Sequence, residues 1–253
     1  TLKNKKYDVI HAFYLKGAFL AVILSFLYKA KYFLHICGLG SLFNSKRIIF
    51  KVYSFFVLYF LSISSWLNNR VFIFETKFLQ NTLTNSYWFN AKNTHVTCGV
   101  GIDTTLFKPS QTSEKREKNF LRFVLVSRLL KDKGIIEFIE ASKILKEKYR
   151  QLSFTLIGSE DPFSPMRLTE LDMQNLKNSP IKYIPHVHNI HEQLSEYDVF
   201  VLPSYHEGLS VSSMEAGACG LVLLLSDIPG CKEIIKEGYN GFTFKKQSSM
   251  DIV

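Results

Sequence analysis

The chain has 253 residues, 47% of them hydrophobic and 21% charged, with a net charge of +9. That length holds two ordinary domains, and that composition excludes a disordered, collagenous or low-complexity protein. The charge is uneven: residues 1–120 carry 16 Lys and Arg against 5 Asp and Glu, whereas residues 121–253 carry 15 against 17. The first half also holds 24 of the 36 aromatic residues. A basic, aromatic-rich half predicts an anionic neighbour, either a membrane surface or nucleic acid. The basic residues form no motif with base-stacking aromatics, so no nucleic-acid partner is expected. Cys37, Cys98, Cys219 and Cys231 form neither a CxxC pair nor a metal-ligand spacing and read as reduced cytosolic thiols. The chain starts at Thr1 without Met or signal peptide and stops just after a predicted strand, so it reads as a fragment.

In chain order, residues 8–13 (DVIHAF) predict a buried strand and 17–28 (GAFLAVILSFLY) an apolar helix too short to span a bilayer. Residues 31–36 (KYFLHI) predict a second strand, closed by Gly38-Leu39-Gly40. This βαβ pattern implies a parallel sheet. Residues 52–69 carry no charge for 18 positions, but Ser54, Ser62, Ser64 and Ser65 interrupt them. They predict a buried or membrane-surface helix rather than a spanning one. A strand at 71–74 and a turn-rich connection at 96–107 follow. The polar run 109–119 (PSQTSEKREKN) reads as a linker. Beyond it, strands at 121–126, 153–158, 181–184, 199–202, 221–225 and 241–244 alternate with helices near 135–149, 191–197 and 231–237, the pattern of a doubly wound sheet. The expected organisation is a partial first domain over 1–110, a linker over 111–119 and a second domain over 120–253.

The most informative stretch is 199–215 (VFVLPSYHEGLSVSSME). A strand ends at Pro203, the chain turns at Gly208, and a helix opens with small residues at Ser210, Ser212 and Ser213. Unpaired N–H groups at such a point attract phosphate. Glu207 and Glu215 bracket the turn. Alone they would read as surface charge, but Glu215 sits in a small, apolar helix (MEAGACG), where a lone carboxylate needs hydrogen-bond donors such as ribose hydroxyls. After the first strand of the second domain, Arg128 and Lys133 in SRLLKDKG offer cations at a carboxyl end, where a diphosphate would lie.

PSYHEGLSVSSMEAGACG, with its E-x7-E spacing, resembles family 4 retaining glycosyltransferases of GT-B fold. VSRLLKDKG, SDIPGCKEII and EGYNGFTF agree in order. DVIHAF, HICGLGSLF and GVGIDTTLFKP resemble the acceptor domain of members that build bacterial surface polysaccharides, of the capsule and O-antigen kind. The resemblance implies an α/β fold of two Rossmann-like doubly wound domains facing a cleft, the first incomplete and the last helices missing. It implies transfer of a sugar from a UDP-linked donor to a lipid-linked saccharide acceptor, with retention, at the cytoplasmic face of the membrane. Arg128 and Lys133 would hold the diphosphate, Glu207 the donor sugar, the N–H groups of Gly208, Leu209 and Ser210 phosphate and sugar oxygens, and Glu215 the ribose. No metal or other cofactor is expected, and Glu160-Asp161 reads as a solvated loop. Where many relatives carry a His before the glycines, this chain has Cys37. His35, on the same strand face by period-2 geometry, is the candidate substitute, with a packed core histidine the equal alternative. His186, His188 and His191 read as loop residues near the nucleotide pocket. The competing readings are a nucleotide-sugar epimerase of the same fold and an inactive nucleotide-sugar-binding remnant.

Overall fold

The computed structural model describes residues 7–38, 48–110 and 120–253. They form two compact units, one up to Val100 and one from Gly101. The proposed linker at 111–119, and the Leu39–Gly40 part of the glycine turn, lie outside the described residues. Residues 101–110, assigned to the first domain from sequence, belong to the second unit. Phe107 packs on its core and Pro109 lies against Gly220, so the chain crosses over before the polar run.

The first unit is a parallel sheet in the order β1 (Val9–Phe13), β2 (Lys31–Ile36), β3 (Arg70–Phe74), β4 (Thr94–Val96). Helix α1 (Tyr14–Leu24) starts three residues earlier than its apolar run suggests, directly at the end of β1. Tyr14 makes this possible by adopting φ 63°, a left-handed conformation that a tyrosine rarely takes. Helix α2 (Ile48–Ser64) buries Val57, Leu58 and Leu61 against the sheet and leaves Tyr53, Phe56, Tyr59 and Ile63 exposed, so it is both packed and apolar outward. Its serines do not break it, because Ser62 and Ser64 donate back to the carbonyls of Tyr59 and Leu61. No helix among the described residues is long and apolar enough to cross a membrane. Helix α3 (Lys77–Tyr87) is one that periodicity did not reveal; Thr76 caps it by accepting from the Leu79 amide. Arg70 departs from the picture of surface charge. It is fully buried, stacked over Phe26 at 4.6 Å and bonded to the Ser64 carbonyl.

The second unit carries β5 (Leu121–Val126), α4 (Ile135–Lys148), β6 (Leu152–Ile157), α5 (Glu170–Lys177), β7 (Ile181–Ile184), α6 (Ile190–Leu194), β8 (Val199–Leu202), α7 (Val211–Ala218), β9 (Val222–Ser226), α8 (Pro229–Lys232) and β10 (Gly241–Phe244). The sheet is parallel throughout, in the order β10-β9-β8-β5-β6-β7. Its central strands are apolar at consecutive positions because both faces are covered. Leu125 and Val201 enter one core; Val124, Phe200 and Leu202 enter the other. Between β5 and β8 the strand order reverses, which opens a crevice at the carboxyl ends.

Candidate functional site

The loops that leave β5 and β8 meet at this reversal. After β5, residues Lys131–Lys133 make one tight turn that ends at Gly134, with φ 71°. A Cβ on Gly134 would stand 2.1 Å from the Pro203 carbonyl oxygen, so only glycine lets the two backbones touch. The Tyr205 amide then donates to the Asp132 carbonyl at 2.8 Å, and the Tyr205 hydroxyl to Glu137 at 2.6 Å. These contacts bring Lys133 against Glu207. Its Nζ lies 2.6 Å from Glu207 Oε1, which also accepts from Ser204 Oγ at 2.8 Å. Both side chains of the ion pair are mostly buried, so the pair is screened little by solvent.

From the other side the start of α8 presses on the same turn. A Cβ on Gly230 would fall 1.5 Å from the Gly208 carbonyl oxygen. Cys231, fully buried beside it, has its thiol pushed up to about 12 by burial and by the Glu207 charge. Gly208 is exposed and Leu209 half-buried, while Ser210 caps α7 by accepting from the Ser213 amide. The first turn of α7 thus keeps further amides directed out of the helix end. Glu215, one and a half turns in, is half-buried. Burial raises its carboxyl above the ordinary range, and no opposite charge offsets that effect.

The sequence-predicted residues fare differently. Lys133, Glu207, Gly208, Leu209 and Ser210 come together at one carboxyl edge. Lys133 is paired with Glu207 rather than free for an anion. Arg128 is at the same edge but mostly exposed, and its guanidinium is bonded to Asp161 at 2.9 Å. Asp161 is therefore an ion-pair partner instead of plain solvated loop. His186 and His188 make a T-shaped contact with each other, and His191 meets Phe107 edge-on. Sequence reasoning passed over Ser204, Tyr205 and Glu137, whose value lies in long-range contacts that no local pattern encodes. Gly230 was legible as a glycine next to a proline, but the carbonyl it admits was not.

His35 belongs to the first unit. It sits near the end of β2, nine-tenths buried, with its ring stacked on His11 at 5.7 Å and its Nε2 3.9 Å from Glu75 Oε1. Burial, against the opposing pull of Glu75, lowers its pKa and holds it neutral. Cys37, two residues on, has its thiol pushed up to about 11 by burial and by a hydrogen bond to Glu75. Glu75 follows β3 directly and went unnoticed in the sequence, although a carboxylate at a strand's carboxyl end was a usable signal.

The family described as glycosyl transferases group 1 matches residues 107–253, more than half of the chain. The chain belongs to this family. Among curated members, it is 32% identical over 162 residues to an N,N'-diacetylbacillosaminyl-diphospho-undecaprenol alpha-1,3-N-acetylgalactosaminyltransferase of Campylobacter jejuni, covering 60% of this chain and 41% of that one. It is 26% identical over 151 residues to a UDP-Gal:alpha-D-GlcNAc-diphosphoundecaprenol alpha-1,3-galactosyltransferase of Escherichia coli, covering 56% and 39%. The chain thus spans about two fifths of the length of these relatives. In fold it superposes on Anabaena HepE in complex with UDP, with a TM-score of 0.79, 22% identity and 97% and 67% of the two chains covered. It also superposes on a sucrose-phosphate synthase from Thermosynechococcus elongatus, with 0.78, 17%, 99% and 64%. The parallel-sheet fold of these two structures is therefore shared across nearly all of this chain.

Proposed function

We propose that the protein to which this chain belongs is a hexosyltransferase that moves a sugar from a UDP-linked donor to a lipid-linked saccharide, with retention, in the assembly of a bacterial surface polysaccharide. The observation that carries this reading is the Lys133–Glu207 pair set against the turn that opens α7. A diphosphate placed there meets Lys133 and the outward amides of Gly208, Leu209 and Ser210. A sugar beyond it meets Glu207, and a ribose on the other side meets the unneutralised carboxylate of Glu215. The named activities of the Campylobacter and Escherichia relatives, both on diphospho-undecaprenol substrates, support the acceptor class.

In this reading the leaving diphosphate is neutralised without a metal, by Lys133, Arg128 and the amino end of α7. Arg128 exchanges Asp161 for phosphate, an easy exchange because an exposed ion pair contributes little. Lys133, whose ammonium has three N–H donors, then serves the Glu207 carboxylate and the phosphate together. Glu207 takes the catalytic contact. This reading gives His35 no part in the donor chemistry; it belongs to the first unit, with its Nε2 3.9 Å from Glu75 Oε1. The outward apolar residues of α1 and α2, with Leu20, Ile23, Ile48, Ile49 and Phe56 exposed, support peripheral attachment to the cytoplasmic leaflet, assisted by the basic charge of the first half.

Glu207→Gln tests the assignment. Gln keeps an acceptor for Ser204 and Lys133, so the fold and UDP affinity should survive. Sugar transfer to membrane lipid extract should fall roughly 100- to 1,000-fold, the scale for losing one preorganised polar group at a reacting centre. Undiminished transfer by a variant with normal melting behaviour would sink the assignment.

A further inference from the structure

The carboxyl edge of the first sheet carries a second constellation. Two strands deliver it. His35 comes from the end of β2, Cys37 from just beyond it, and Glu75 from the residue after β3, which pairs with β2 in parallel register. One donor atom from each side chain lies within 4.8 Å of the other two. His35 and Glu75 are both more than nine-tenths buried, and Cys37 is half-buried.

One feature of this cluster asks for a Lewis acid: His35 Nε2 is buried and has no hydrogen-bond partner among the described residues. A buried ring nitrogen of this kind is rare in a packed protein unless it is completed by something else.

We propose that His35, Cys37 and Glu75 form a binding site for a zinc-type divalent cation. An imidazole nitrogen, a thiolate sulfur and a carboxylate oxygen are a zinc donor set, whereas magnesium and calcium take oxygen alone. Tetrahedral zinc ligands stand about 3.5 Å apart. His35 Nε2 and Glu75 Oε1, at 3.9 Å, are close to that separation already. The partial exposure of Cys37 leaves a side of the cluster open, so the fourth position falls to water or to an oxygen of a ligand at the sheet edge. His11, stacked on His35, fixes the plane of the ring and so the direction of its lone pair. The three ligands all belong to the first unit.

Cobalt(II) titration of the full-length protein tests this directly. A bound cobalt should give a sulfur-to-metal charge-transfer band in the near ultraviolet and four-coordinate bands in the visible, saturating at one ion per chain and reversed by zinc. Cys37→Ser should abolish the near-ultraviolet band. His35→Gln and Glu75→Gln should each weaken cobalt binding by about tenfold or more. Cys219→Ser, which removes a thiol in the second unit, should leave the spectrum unchanged. Zinc should also shield Cys37 from iodoacetamide in the wild-type protein, read by mass spectrometry, a measurement that needs no variant to fold. No stoichiometric band, a band that survives Cys37→Ser, or alkylation of Cys37 indifferent to zinc would each overturn the proposal. None of these readouts depends on sugar transfer.

Discussion

The two sheets end in differently furnished edges. At the edge of the second, acidic side chains are met by cations: Glu207 by Lys133, Asp161 by Arg128, Asp172 by Lys131. At the edge of the first, Glu75 meets a thiol and an uncharged imidazole. A carboxylate with a cation already beside it needs only a small rearrangement to let that cation serve a phosphate. A carboxylate grouped with nitrogen and sulfur lone pairs presents donors to a positive ion. On the two proposals above, one fold builds an anion-receiving edge and a cation-receiving edge from parallel-sheet carboxyl ends. What differs is which side chains stand at the strand ends: His35 lies within β2 and Cys37 and Glu75 directly follow β2 and β3, whereas Lys133 and Glu207 lie in longer loops after β5 and β8.

The largest expected effect on this contrast comes from Lys133→Ala. It leaves the mostly buried Glu207 without its cation, so stability should fall by about 3 kcal/mol. UDP affinity and transfer should collapse with it. Denaturant melts and UDP titration read both, and unchanged UDP binding would show that the edge does not receive anions through Lys133. Glu215→Gln should act in two opposite directions. Burial raises the folded pKa of Glu215 above its unfolded value. The folded state therefore holds the proton more tightly, and wild-type stability declines as pH climbs from the unfolded value through the folded one. The glutamine variant escapes that decline, so it should melt higher than wild type at pH 7 and equal to it below pH of about 4. It should nonetheless bind UDP more weakly. A variant that melts lower at pH 7 would show that Glu215 is satisfied without ligand. The smallest effect is expected from Arg128→Ala. Removing one half of an exposed ion pair should change stability by no more than about 0.5 kcal/mol. It should weaken UDP binding and flatten its salt dependence, both visible in titrations at two ionic strengths.

How much of this was legible depended on where the information sits. The apolar runs at Leu121–Val126 and Val199–Leu202 gave their strands to the residue, because a strand covered on both faces is written as uninterrupted hydrophobicity. Helix α3 and helix α5 stayed hidden. Each is announced by a threonine cap, at Thr76 and Thr169, ahead of a polar segment with weak periodicity. The start of α1 was misplaced because nothing in a tyrosine signals a left-handed turn. At the site, residue types and order identified Glu207 and Lys133, but their contact spans 74 positions and needed the sheet order to appear. Cys37 and His35 were read as one strand face; Glu75 completes the group from a different strand, which no spacing rule within one segment would find.

The backbone contacts at Gly134 and Gly230 have an evolutionary consequence. Carbonyl oxygens of Pro203 and Gly208 rest where any side chain on those glycines would have to go, so the main chain around Glu207 is clamped at both ends. Drift in that loop is confined to side chains that point away from the clamp. His206 is exposed between the two fixed points, so it can change freely without displacing Glu207. A lineage can thereby vary the side chain at that one position while the main-chain frame beneath is inherited unchanged.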